Sequence, residues 1–241
     1  YNTMPSELES ILARRRAQES GEIWATEIPF SSLNTATSKK DIRVFLGSGR
    51  DASNLQKLRE NGVRKILNVA DDIPNYHESN TRDFAYCRLE VADFGGEVLK
   101  GDKGGIRRLF GKAAEFVTGN ATSDISIGKS STVNTHPKDN ITINCTSTTT
   151  ACPNNNKNSN NILIHCANGS NRSVTVTIAL LLILDGCNLQ TAWNKVKSRR
   201  TNAMPLKDNR CALLDFEREL QGTNSMTEED FFRKRINDFG E

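Results

Sequence analysis

Nine consecutive residues, "HCANGSNRS" from His165 to Ser173, place one thiol and one guanidinium on either side of five small or polar residues. The run lies between two apolar segments, "NILI" and "VTVTIALLLIL". Ile162, Leu163 and Ile164 read as a buried strand, and a helix is expected to begin near Arg172. A strand–loop–helix turn built from Ala167, Asn168, Gly169, Ser170 and Asn171 can aim successive backbone N–H groups at one point. The positive end of the helix dipole adds to them there. Gly169 permits the sharp backbone that such a nest requires. A nest of this kind holds a tetrahedral dianion, and Arg172 can add a planar fork to two of its oxygens.

The same amides and dipole favour the thiolate form of Cys166, which would then sit under the phosphorus of a bound monoester. In-line attack by sulfur would give a cysteinyl-phosphate, with the cradle holding the equatorial oxygens. Ser173 can donate a hydrogen bond to the sulfur when it leaves. His165 is expected to orient the loop rather than touch substrate. There is no GxxxxGK[ST] pattern, so the lysine-and-magnesium logic of a nucleotide loop does not apply. A buried core cysteine beside a surface arginine is the plainer reading. The match of thiol, small residues, arginine and serine between strand and helix argues against it.

The elements that must hold this loop follow the same rhythm on both sides. "IRVFLGS", "VRKILNVA", "AYCRLEVAD" and "NILIHC" read as strands. "DASNLQKLRENG", "GGIRRLFGKAAEFVTG", the run after Arg172, "LQTAWNKVKSRR" and "NRCALLDFERELQ" read as helices. Such alternation predicts an α/β fold: a central, mainly parallel sheet of about five strands flanked by helices on both faces. Residues 1–40 form an N-terminal extension in which Leu8, Ile11 and Leu12 share a helical face. Residues 41–221 form the main domain, and 222–241 a tail that carries a phenylalanine pair within charged residues. From about 119 to 160 the chain is dominated by Asn, Ser and Thr. It is expected to be a mobile excursion, leaving from the edge of the sheet away from the loop.

Composition narrows the partners. The 32 basic and 29 acidic residues leave a formal charge of +3, which gives no global case for nucleic acid. No apolar run is long enough to span a bilayer. The six cysteines show no CxxC pair, and His77, His136 and His165 show no metal-ligand spacing, so neither metal nor other cofactor is expected. Reduced thiols suggest a cytoplasmic or nuclear setting.

Together these residues resemble the cysteine-dependent dual-specificity protein phosphatases, in particular the small atypical members of the protein tyrosine phosphatase superfamily. The resemblance runs from about Asp41 to Gln221 with the insert set aside. It rests on "HCANGSNRS", on "FLGSGRDASNLQKLRENGVRKILNVADD", and on the closing "AWNKVKSRR…MP…LLDFEREL". It departs at Asn171, where serine is common, at "LKDNRCALL", and in the insert. The resemblance implies a general acid on the loop after "AYCRLEVA", which points to Asp93. Asp93 precedes Cys166 by an unusually long interval, which removal of the insert restores. Gly95 and Gly96 would let that loop swing.

Competing acids are Asp102, Glu97 and the pair Asp71–Asp72, all otherwise read as solvated loop charge. Cys87 reads as a core residue, with a redox role toward Cys166 as the alternative. The implied activity is hydrolysis of phosphotyrosine and phosphoserine or phosphothreonine in phosphorylated proteins. The alternatives are a phosphatase of non-protein monoesters, such as phosphoinositides or RNA 5′ ends, and a silent phosphoresidue-binding module. The neutral residues Ala167, Asn168, Ser170 and Asn171 disfavour highly charged lipid headgroups.

Overall fold

The computed structural model describes residues 16, 23–33, 42–79, 83–89, 91, 103–119, 145–146 and 160–233. The apolar run Asn161–Cys166 forms a strand in which every residue is buried. It lies at the centre of the sheet because both faces of such a strand must be covered. In chain order the strands are β1 (Thr26–Ile28), β2 (Val44–Ser48), β3 (Val63–Asn68), β4 (Ala85–Arg88), β5 (Cys145–Thr146) and β6 (Asn161–Cys166). Their spatial order is β1-β2-β6-β3-β4-β5. The four central strands are parallel, while β1 and β5 add short antiparallel edges.

The period of two along these strands sorts side chains onto two faces. Ile162 and Ile164 of β6 join Val44, Leu46, Leu67 and Cys87 in the larger core. Leu163 turns the other way and meets Phe45, Ile66 and Tyr86. The smaller face is covered by Ala52 of α1 (Gly49–Ser53) and Leu58 of α2 (Leu55–Glu60). The stretch "DASNLQKLRE" is thus two short helices rather than one. Asn54 leaves helical geometry between them and caps the second through Oδ1 to the Lys57 amide at 3.0 Å.

The larger face carries α3 (Lys103–Thr118), α4 (Arg172–Leu184), α5 (Leu189–Arg199) and α6 (Lys207–Gln221). Helix α4 is buried from Arg172 to Leu182, with the other three packed around it. Its two central threonines are compatible with that setting because their hydroxyls bond back within the helix. Thr175 Oγ1 donates to Asn171 O at 2.9 Å and Thr177 Oγ1 to Ser173 O at 2.8 Å.

The ends of the chain differ from the sequence expectations. Residues 1–40 are not wholly an extension: Thr26–Ile28 pairs with β2, and Phe30 and Leu33 enter the core. The helix expected around Leu8, Ile11 and Leu12 lies outside the described residues. The phenylalanine pair of the tail divides. Phe231 is buried and packs on Trp193 at 5.0 Å between ring centroids, whereas Phe232 stays exposed with Arg210 over its ring. Of the Asn/Ser/Thr-rich insert, Cys145–Thr146 forms the edge strand beside Tyr86 and Cys87. Most of the remainder, and with it the expected mobility, lies outside the described residues. Among the described residues no helix is long and apolar enough to cross a membrane, and no cluster of His, Cys, Asp and Glu could hold a metal ion.

Candidate active site

Cys166 is the last residue of β6, and α4 starts six residues later at Arg172. The loop between them is held from outside by its carbonyls. Ala167 O accepts from the Gly49 amide at 3.0 Å, and Ser170 O from the Met204 amide at 2.7 Å. Gly169 O accepts from Arg200 Nε at 2.5 Å. In a trans peptide the N–H points opposite to the C=O of the same plane. Drawing these three carbonyls outward therefore turns the amides of Asn168, Ser170 and Asn171 to the inner side.

Gly169 has φ of +67°. A Cβ there would stand 2.5 Å from Gly47 O and from Arg200 Nη2. Backbone on one side and a buried guanidinium on the other leave room for glycine alone. Its N–H donates to Cys166 Sγ at 3.3 Å. Ser173 Oγ lies 3.2 Å from the same sulfur. Cys166 itself is 2% exposed. The thiol, one loop amide and the first-turn serine thus converge.

Asn171 explains its own departure from the resemblance. Its Oδ1 accepts from the Leu206 amide at 2.8 Å and from Asn209 Nδ2 at 2.6 Å. The longer amide side chain reaches the start of α6 and ties it to the loop. It makes no side-chain cap on α4.

Arg172 is buried at 1% exposure, so its charge needs anionic company. Nη1 donates to Asp72 Oδ1 at 2.6 Å, to Asp71 Oδ1 at 3.0 Å and to Val91 O at 3.2 Å. Asp71 and Asp72, read as solvated loop charge, are exposed and in addition pair with Arg172. They follow β3 at its C-terminal end, where parallel pairing sets that end beside β6 and the loop. The hydrogen bond from Arg172 holds the Asp72 carboxyl below its ordinary range.

His165 lies under the loop and is almost fully enclosed. Burial pushes its imidazole down to about 4, partly opposed by the adjacent Cys166 backbone. Neither ring nitrogen meets a partner in hydrogen-bond geometry among the described residues. Its backbone carbonyl accepts from the Val69 amide at 2.8 Å. Asp93, Glu97 and Asp102 lie outside the described residues. Val91, two residues before Asp93, touches Arg172 through its carbonyl. Cys87 is buried in the larger core on β4 and forms no disulfide.

Two buried charges escaped sequence reasoning, one under the loop and one that braces α5. Arg200 reads as one cation in "KSRR" at a helix end, and only the tertiary fold brings it under Gly169. Glu217 reads as helix-surface charge, yet it is wholly buried. It accepts from the Leu189 amide at 2.7 Å and from Ser225 at 2.6 and 2.9 Å, fixing the start of α5.

Residues 121–219 match the family described as dual specificity phosphatase, catalytic domain. The chain is thus similar to the dual specificity phosphatases. Human dual specificity protein phosphatase 9 is 32% identical over 178 residues, covering 74% of this chain and 35% of that protein. Human dual specificity protein phosphatase 6 is 29% identical over 177 residues, covering 73% and 35%. The crystal structure of human DUSP28 has a TM-score of 0.48 at 22% identity, covering 74% of this chain and 94% of that chain. The chain thus spans about a third of the length of those two curated relatives.

Proposed function

We propose that the protein hydrolyses phosphotyrosine and phosphoserine or phosphothreonine in proteins through a cysteinyl-phosphate. The observation that carries this reading is the convergence of Gly169 N and Ser173 Oγ on Cys166 Sγ at 3.3 and 3.2 Å, directly before Arg172 opens α4.

In the first step Cys166 attacks phosphorus as a thiolate, the S–P bond forms and the bond to the leaving oxygen breaks. The amides of Asn168, Ser170 and Asn171 and the Arg172 guanidinium bind the three equatorial oxygens. Asp93 gives its proton to the leaving alkoxide or phenoxide. In the second step Asp93, now a carboxylate, takes a proton from water as that water attacks phosphorus. The P–S bond breaks, the sulfur leaves as a thiolate, and the Ser173 hydroxyl donates to it. His165 supports the loop from beneath.

Phosphopeptide turnover tests this. Wild type should release phosphate, while Cys166→Ser should bind substrate and release none. A phosphoinositide turned over in preference to every phosphopeptide would favour the non-protein reading. Binding without turnover by wild type would favour a silent phosphoresidue-binding module.

A further inference from the structure

Arg200 stands just past α5 and is 4% exposed. Its hydrogen bonds run to neutral acceptors: Gly169 O at 2.5 Å from Nε, then Thr26 Oγ1 at 3.1 Å and Leu46 O at 3.2 Å from Nη1. One guanidinium therefore joins β1, β2 and the phosphate loop. Burying a cation among neutral acceptors is unfavourable unless negative charge lies near. Burial draws the Arg200 guanidinium below its ordinary range, and the charges of Asp51 and Cys166 oppose that. Asp51 is already engaged, with Oδ2 accepting from Ser48 N and Ser48 Oγ at 2.7 Å each.

We infer that Arg200 is a positioning residue for phosphoryl transfer: it clamps the Gly169 carbonyl outward, so that the amides on either side of Gly169 face the sulfur and the phosphoryl group. The planar fork suits the task, because Nε and Nη1 reach Gly169 O and Leu46 O together, which a lysine cannot do. The bond to Gly169 O also polarises the Ser170 N–H across the same peptide plane. With the clamp released, the peptide is free to rotate, and the loop loses a donor where charge develops. This role rests on the phosphatase reading, but it acts on Cys166 reactivity as well as on turnover.

The test compares wild type, Arg200→Gln and Arg200→Lys in two assays. One is p-nitrophenyl phosphate turnover, and the other is alkylation of Cys166 by iodoacetamide at pH ~6, read by mass spectrometry. Circular dichroism confirms folding. Arg200→Gln should lose about tenfold or more in kcat, since loss of a single transition-state donor costs about a hundredfold. Its alkylation should slow by a similar factor, whereas a merely loosened fold would expose the thiol and speed alkylation. Arg200→Lys should recover part of both losses.

Wild-type kcat and alkylation in Arg200→Gln would overturn the clamp, and so would faster alkylation. Should Arg200→Gln fail to fold, Arg200→Lys decides: about threefold loss in both assays supports the clamp, and wild-type values overturn it. If wild type itself turns over no aryl phosphate, the phosphatase reading fails. The alkylation comparison then still judges Arg200.

Discussion

Arg172 Nη1 lies 2.6 Å from Asp72 Oδ1, joining a buried guanidinium at the start of α4 to a carboxylate with about half its surface in water. Asp71 adds a second carboxylate at 3.0 Å. These two anions neutralise the cation that, in the proposed mechanism, a substrate phosphate engages.

Removing one of them should strengthen phosphate binding. Asp72→Asn should lower the inhibition constant for inorganic phosphate by about fivefold, the equivalent of an ion pair of about 1 kcal/mol at a half-exposed site. Product inhibition measured at fixed pH checks this. Weaker inhibition would instead mean that Asp72 serves to aim Arg172.

Gly169→Ala should abolish most turnover. Its Cβ meets the carbonyl of Gly47 at 2.5 Å, and φ of +67° already disfavours a side chain. We expect kcat to fall by about a hundredfold, because the displaced peptide carries the amide aimed at Cys166. The strain should cost about 1–3 kcal/mol of stability. Steady-state kinetics and urea unfolding measure the two effects separately.

His165 makes the fold acid-sensitive. Its native value of about 4 lies below the ordinary 6.5, so the unfolded chain binds the extra proton over that window. The associated stability is fully present above pH 6.5 and is lost as pH falls toward 4. Its full extent is about 3 kcal/mol. Urea unfolding of wild type at pH ~7.5 and ~5, compared with His165→Gln, should show a smaller drop in the variant. Equal drops would place the acid sensitivity elsewhere.

Glu217→Ala should destabilise without touching the chemistry. The carboxylate is wholly buried and accepts from Leu189 N, Ser225 N and Ser225 Oγ. Its loss leaves the buried Leu189 amide unpaired, a penalty of about 1–3 kcal/mol. Thermal unfolding should show a clear fall in Tm, while kcat per folded molecule stays at the wild-type value.

The loop from His165 to Ser173 was legible because its logic is local: a buried strand, a glycine with positive φ and a helix start all lie within a short stretch. The four parallel strands and the helices between them were legible from periodicity for the same reason. What stayed hidden is long-range. Arg200 meets Gly169 across 31 residues, and Asp72 meets Arg172 across 100. The strand Thr26–Ile28 is three residues long, too short for an alternation to register, and its pairing partner lies across the Ser31–Ile42 stretch. Glu217 on α6 carries a charge that sequence assigns to water, and only the packing of α5 and the tail around it shows otherwise.

The central claim is that Cys166 takes the phosphoryl group. Rapid quenching of the enzyme with a phosphotyrosine peptide, followed by mass spectrometry under conditions that preserve S–P bonds, tests it directly. Phosphate should be found on Cys166 within the first turnover, with none captured by Cys166→Ser. Phosphate on another residue, or release by Cys166→Ser at the wild-type rate, would contradict it.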